Sequence, residues 1–514
     1  MAQTRRQFLG RIAAAGGAPL VYDAMTGLGL LAAPAQARFE LRGQVSGVRV
    51  VILGAGLAGL SVAYELGKLG YHCQILEARP HPGGRAYTVR RGTVSEEDGP
   101  RQVARFDEGL YFNAGAMRIA HHHATTLAYC RELQVPLEVF GIHSEGSYLY
   151  QRNATALGGR RLRVREARTD LDGYVAEMLS KAVSQGDLDQ ELTSDDRQNL
   201  LEYLRRAGAL DERARYRGSP RRGEGAALAL SDLLGSKVGQ YLQLDYDYQP
   251  TMLQVVGGSD RLPAAFAARL RDRIVYRAAA REIRQRERGV SVAYADQNGR
   301  LRNIDADYCV CALPLTVLAA MQTDFGPEFR RAVATATYAA AGKMGLQFRR
   351  RFWEDDDGIY GGITKTDQEI SQIVYPSHGF HQPKGILMGY YIQGNDAGRP
   401  MGERAPAERQ AMALEQGARI HPQYRTEFET AFSVAWHRVT WIRGSWVSFS
   451  ADVRRELPVL RRPEGRVYLA GDHVSNLNAW MQGAFESGRQ VASAIHARAM
   501  QEASPRVTSV ESPR

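Results

Sequence analysis

Over residues 48–53 the chain is, apart from Arg49, a β-branched and apolar run; it breaks into glycines and resumes over 60–69 as an amphipathic, alanine-bearing stretch. Gly70 ends that stretch, and a second short strand-like segment over 71–76 closes on Glu77. The pattern predicts strand, tight turn, helix and strand, the opening of a βαβ unit. From about 119 to 249 the sequence becomes charged and helix-favouring, notably over 171–179 and 195–206, with few strand signals. Short β-rich segments return at 273–276, 290–294 and 306–313, and mixed sequence fills 336–443. A further strand is expected at 466–470 and a helix over 483–499, with no internal repeat. The fold expected is therefore α/β (mixed α+β). A Rossmann-like nucleotide-binding domain is drawn discontinuously from 38–118, 250–335 and 444–500, and a mixed-sheet domain from 119–143 and 336–443. A helical domain covers 144–249, and 501–514 form a disordered tail.

At 514 residues with 44% hydrophobic content, the chain is long enough for two or three domains. Its formal charge of +10 includes three arginines and one aspartate in residues 1–37, which leaves the remainder at about +8. Only six residues are lysine, and the arginines are spread without basic runs interleaved with aromatics, which argues against nucleic acid as a partner. Cys73, Cys130, Cys309 and Cys311 form no disulfide framework; Cys309 and Cys311 would share one strand face and read as buried thiols. Thr4-Arg5-Arg6-Gln7-Phe8-Leu9-Gly10, a small-residue apolar stretch and Ala35-Gln36-Ala37 together look like a twin-arginine export signal over 1–37. If that signal is used, the protein is exported already folded, to the periplasm or beyond; otherwise it is cytoplasmic. No other stretch is long and apolar enough for stable membrane insertion.

Gly54-Ala55-Gly56-Leu57-Ala58-Gly59 follows a strand and opens a helix, where glycines allow a tight turn and close approach of backbone to a pyrophosphate. Glu77 ends the next strand, placed for a ribose hydroxyl pair, with Ala78 beside it. Directly after it, His81-Pro82-Gly83-Gly84-Arg85-Ala86-Tyr87-Thr88 sets an arginine behind two glycines, suited to a diphosphate and unneeded by a nicotinamide domain. With these motifs in order, the chain resembles the flavin amine oxidase superfamily, which includes monoamine, polyamine and L-amino acid oxidases. Gly257-Gly258-Ser259-Asp260-Arg261-Leu262-Pro263, Ala312-Leu313-Pro314 and Arg466-Val467-Tyr468-Leu469-Ala470-Gly471-Asp472 look like further superfamily segments, the last with an acid at the cofactor's ribityl or diphosphate region. The resemblance implies bound FAD, and makes the mixed-sheet domain the substrate-binding one.

At the flavin face the chain is most similar to FAD-dependent L-amino acid oxidases. Asn113-Ala114-Gly115-Ala116-Met117-Arg118 resembles the segment whose backbone passes the flavin ring and whose arginine holds the substrate carboxylate, with Ala116 where the family usually has proline. Tyr390 matches the tyrosine giving that carboxylate a second hydrogen bond; Tyr391, its neighbour, projects to the opposite strand face. Lys343, alone between apolar residues, resembles the lysine that holds a water at the flavin's reactive nitrogen, and a buried ammonium there would be costly without a partner. In Asn478-Ala479-Trp480-Met481-Gln482-Gly483-Ala484, Ala479 replaces the family glycine whose carbonyl meets the substrate amine. Trp480 would be an aromatic wall, and residues 481–484 would offer backbone to the flavin from a helix N-terminus. Trp446 is a candidate second wall. No cysteine lies near this segment, so the FAD is expected to be non-covalent. His121-His122-His123 has no companion acids and reads as a turn or helix start, so no metal is expected.

The resemblance implies oxidative deamination of a free L-amino acid by dioxygen, with homo-oligomerisation as a dimer or larger. Alternatives are an amine or polyamine oxidase, a decarboxylating amino acid 2-monooxygenase, or a flavin-carrying interaction protein without turnover. Asp245 and Asp247 are either solvated loop acids or partners for a basic substrate side chain.

Overall fold

The computed structural model describes residues 39–154, 156–186, 192–242, 248–448 and 450–503. The export signal, residues 504–514 of the expected tail, Asp245 and Asp247 lie outside the described residues.

A five-stranded parallel sheet forms the floor of the molecule, in the order Ile274–Tyr276, His72–Glu77, Arg49–Leu53, Tyr308–Cys311, Val467–Leu469. At its centre, Val50–Leu53 and Tyr308–Cys311 are buried throughout because both faces are covered. Val50, Ile52, Tyr308 and Val310 point into one core, while Val51, Leu53, Cys309 and Cys311 point into the other. The first core is closed by helices Leu57–Gly67 and Met481–Ala503, which cross where Gly488 lies against Ser61. The second core is shared with a four-stranded sheet whose order is Leu301–Ala306, Gly289–Ala295, Ala279–Arg286, Gln322–Thr323. Helix Met481–Ala503 runs three residues into the stretch expected to be tail.

The second large sheet has seven strands, in the order Phe428–Ala435, Gly342–Phe348, Gly385–Ile392, Gln372–Val374, Ile363–Thr366, Tyr148–Tyr150, Arg161–Arg163. All its pairings are antiparallel except Ile363–Thr366 with Tyr148–Tyr150. The segment 144–249 therefore corrects the expectation of a purely helical domain, since its first two strands complete this sheet. Helices Val164–Gln185, Ser194–Ala207 and Leu230–Gly235 follow. Inside that helical layer the buried carboxylate of Asp170 accepts from Arg222 Nε, Tyr216 Oη and Leu228 N, so its charge is both paired and fully hydrogen-bonded. A second correction concerns residue 250 as a boundary. Strand Met252–Val255 pairs with Ile119–Ala120 and Leu137–Phe140 in a three-stranded sheet, so it joins the segment 119–143. His121 and His122 form a turn and His123 caps helix Ala124–Glu132.

Candidate active site

A cavity of about 530 Å³ runs from the carboxyl ends of the parallel strands to the face of the seven-stranded sheet. Ligands in open α/β sheets bind outside those strand ends, where loops splay apart. The first turn leaves the floor bare: a Cβ built on Gly56 meets nothing within 4 Å, so the space above it is open to a ligand. Glu77 is buried, and its carboxylate accepts from Ala55 N at 2.7 Å and Arg79 N at 2.8 Å. Burial raises its pKa, against the effect of those two hydrogen bonds. Each oxygen keeps a lone pair for a ribose hydroxyl.

Arg85 reaches across 387 residues to Asp472, with Nη2 donating to Oδ1 at 2.5 Å, and its Nη1 donates to the carbonyl of Ser445. Asp472 Oδ2 accepts from Ala479 N at 3.1 Å, so one carboxylate ties the glycine-rich loop to the segment opening the last helix. The charge of Arg85, expected to face a diphosphate, is here met by Asp472. Gly115 is held where no side chain fits, because a Cβ would stand 1.7 Å from Arg85 O. That contact presses the backbone of 114–116 onto 85–87, with Ala116 N donating to Arg85 O at 3.0 Å and Gly115 N to Tyr87 O at 3.1 Å. Ala479 sits at φ +67, a conformation that costs a side-chain-bearing residue about 1–2 kcal/mol and that glycine adopts freely.

At the far end Lys343 is 4% exposed. Its Nζ donates to Gly115 O at 2.6 Å and Asn113 O at 3.3 Å, approaches Met117 Sδ at 3.5 Å, and lies 4.5 Å from the Tyr391 ring centre. Burial, reinforced by the charge of Arg118, pushes its pKa well below the ordinary lysine value. Arg118 has its Cζ 4.4 Å from the Tyr248 ring and 5.7 Å from Trp480. Its Nε and Nη1 are buried with no hydrogen-bond partner among the described residues. Although Arg118 as a whole is only half-buried, leaving two of its charged donors buried and unpaired is costly, and a ligand that completes them recovers that cost.

Among the residues singled out from sequence, Gly54, Gly56, Leu57, Ala58, Glu77, Ala78, Gly84, Arg85, Gly115, Ala116, Met117, Arg118, Lys343, Trp446, Asp472, Ala479, Trp480, Met481 and Ala484 all line this one cavity. Four do not. Gly59 lies inside the helix turn under the loop, and Gly483 packs against Leu477 O. Gln482 points away, accepting from Thr126 N and Oγ1. Tyr390 is the substantive correction. In the sheet register Lys343 stands opposite Tyr391 and Met344 opposite Tyr390, so Tyr391 shares the cavity face with Lys343. Tyr390 is buried behind the sheet beside Ser433 and Arg409.

Sequence reasoning passed over Tyr248, Trp436, Trp441, Gln393 and His473, which also line the cavity. Trp436 Nε1 donates to Ala114 O at 2.9 Å and so braces the segment carrying Arg118. The Tyr391 position follows from counting the pairing outward from Lys343. Tyr248 carries no motif.

The donor set suits the dinucleotide that the sequence resemblance implies. It offers a ribose acid in Glu77, an uncovered glycine floor at a helix N-terminus, and a lysine and an aromatic wall at the opposite end. Comparison with known proteins agrees. Residues 57–496 match the family model for flavin containing amine oxidoreductases. The chain is 28% identical over 469 residues to a putative L-amino-acid oxidase, YobN, of Bacillus subtilis (strain 168), covering 86% of this chain and 93% of that protein. It is 28% identical over 475 residues to an L-amino-acid oxidase of Siganus canaliculatus, covering 87% and 85%. Among solved structures, putrescine oxidase bound to putrescine superposes with a TM-score of 0.61 at 18% identity, covering 88% of this chain and 99% of that one. The cyclohexylamine oxidase of Brevibacterium oxydans IH-35A does so with 0.60 at 16%, covering 88% and 99%. At such identities the two structures speak for the fold alone.

Proposed function

The chain belongs to the family of flavin-containing amine oxidoreductases, and within it we propose that the protein oxidises free L-amino acids with dioxygen to the imine, which water hydrolyses to the 2-oxo acid and ammonia, with release of hydrogen peroxide. The observation that carries this reading is Arg118, a cation in the cavity whose buried Nε and Nη1 have no partner among the described residues. A substrate carboxylate completes such a group with charge-assisted, bidentate hydrogen bonds, and a simple amine does not. The relatives named L-amino-acid oxidases support the same substrate class.

The cofactor in this reading is non-covalent FAD, held by Glu77 at its ribose and by the backbone of the first glycine loop. None of the four cysteines lines the cavity, which supports the non-covalent reading. Bound there, the flavin would supply a hydride acceptor for the substrate α-hydrogen and a centre that dioxygen reoxidises. The protein's part is orientation. Arg118 grips the carboxylate, and Tyr391, whose phenol burial pushes up to about 12, stays protonated and donates a second hydrogen bond. Trp480 walls the amine and the Ala479 carbonyl accepts from it. Lys343, driven toward its neutral form, would hold a water at this end of the cavity and pass protons through it.

A peroxide-coupled screen of the twenty L-amino acids, their D-forms and several amines, with product analysis, tests the proposal. The 2-oxo acid, ammonia and peroxide are expected from L-amino acids. An amide with loss of carbon dioxide indicates the decarboxylating monooxygenase, and no peroxide from any compound indicates a protein acting through partners. The same reading has the N-terminal signal exporting a folded flavoprotein that assembles as a homo-oligomer. Cell fractionation and light scattering check these two points.

A further inference from the structure

Among the described residues, Tyr248 is the one member of the segment 144–249 that lines the cavity. Its ring lies 4.4 Å from Arg118 Cζ and 5.8 Å from the Trp480 ring, tilted at 51° to it. Its phenol is also close enough to Tyr391 to raise the pKa of that group, secondary to the effect of burial. We propose that Tyr248 is a positioning residue, whose ring face holds the Arg118 guanidinium aimed into the cavity. The inference rests on reading Arg118 as the carboxylate site.

The argument is one of directions. A guanidinium carries its five N–H donors along the edges of a plane, and a long flexible side chain must be fixed before it can offer two of them to one carboxylate. An acidic neighbour would fix it, but would occupy those edge donors and compete with the substrate. An aromatic face attracts the cation through the plane and leaves the edges free. This is the state found here: Tyr248 at 4.4 Å and Trp480 at 5.7 Å, with Nε and Nη1 unused among the described residues. Trp480 belongs to the segment opening the last helix, and Tyr248 to the far end of the segment holding the helical layer. The helical segment thereby controls carboxylate affinity at a site otherwise built by the two sheets and their loops.

The test uses the flavin-loaded enzyme and benzoate as a carboxylate probe, titrated by its perturbation of the flavin's visible absorption, alongside KM and kcat for an L-amino acid. Tyr248→Phe keeps the ring face and should bind benzoate within about 2-fold of wild type. Tyr248→Leu should weaken benzoate and raise KM by roughly 5- to 30-fold, the range for loss of a desolvated cation–π contact, with kcat changed far less. Arg118→Met should lose benzoate binding altogether. If Tyr248→Leu binds benzoate like wild type while Arg118→Met does not, the role of Tyr248 is overturned and the reading of Arg118 stands. If Arg118→Met itself binds benzoate normally, the reading of Arg118 fails and the inference goes with it. Equal weakening in Tyr248→Phe and Tyr248→Leu would assign the effect to the hydroxyl and overturn the ring-face account. Should Tyr248→Leu not retain flavin, Tyr248→Gln carries the same comparison.

Discussion

Replacing Arg118 with methionine removes the guanidinium while keeping a flexible chain of similar girth against Tyr248 and Trp480, so the cavity wall changes little in volume. In the native protein two buried donors, Nε and Nη1, await a partner, and nearby aromatic rings exclude much of the water that would screen them. Truncating one side of a desolvated, hydrogen-bonded charge pair costs about 2–5 kcal/mol. In catalytic efficiency that is roughly 30-fold to several thousand-fold. The variant should therefore keep its flavin spectrum and lose that factor in kcat/KM for L-amino acids, measured by peroxide release. A second effect has a definite sign. The charge of Arg118 helps depress the pKa of Lys343, so removing it should move any pH dependence governed by Lys343 to higher pH. Amino acid turnover within a few-fold of wild type would refute the reasoning, because the carboxylate would then be held elsewhere.

Lys343→Met should slow reoxidation of reduced flavin by oxygen in stopped-flow traces more than it weakens substrate binding; unchanged reoxidation removes Lys343 from the chemistry. Because burial holds Lys343 below its unfolded value of about 10.4, the unfolded chain takes up the proton more readily between the two values, and wild-type stability rises with pH across that window. The thermal midpoint of wild type should accordingly gain on that of Lys343→Met as pH rises toward the unfolded value, and a constant difference would contradict this. His473, buried beside Asp472, has its pKa lowered to about 4, principally by desolvation. Against an unfolded value of about 6.5, it contributes on the order of 3 kcal/mol of stability that is lost as pH falls from about 6.5 to 4. His473→Gln should flatten that part of the stability profile, and an unchanged slope would assign the acid loss to other groups. Acid or heat precipitation should leave intact FAD in the supernatant, whereas flavin carried down with the protein would reveal a covalent bond.

The nucleotide end was legible because its physics is local. An apolar run of 48–53, glycines that admit close approach and an acid closing the next strand need only a short stretch of chain to declare themselves. That Lys343 lines the cavity was legible for a different reason: a lone lysine in a strand whose seven residues are all buried needs polar partners, which the cavity edge supplies. The same complete burial hid the choice between Tyr390 and Tyr391. Strand Gly385–Ile392 is covered on both faces, so no alternation of polar and apolar residues marks which tyrosine faces the cavity. Pairing with Lys343 settles it, and pairing is tertiary information. The strands Tyr148–Tyr150 and Arg161–Arg163 escaped notice because each has three residues and the second is flanked by arginines. Tyr248 could not be found from sequence, since its role depends on Arg118, which lies 130 positions earlier.

The claim that Arg118 makes this enzyme one for amino acids is tested most directly on the wild-type protein, by comparing kcat/KM for an L-amino acid with that for the amine lacking only its carboxylate, such as phenylalanine and phenethylamine. The carboxylate contact predicts a preference for the amino acid of at least about 30-fold. Equal or greater efficiency on the amine would contradict it and make the protein an amine oxidase.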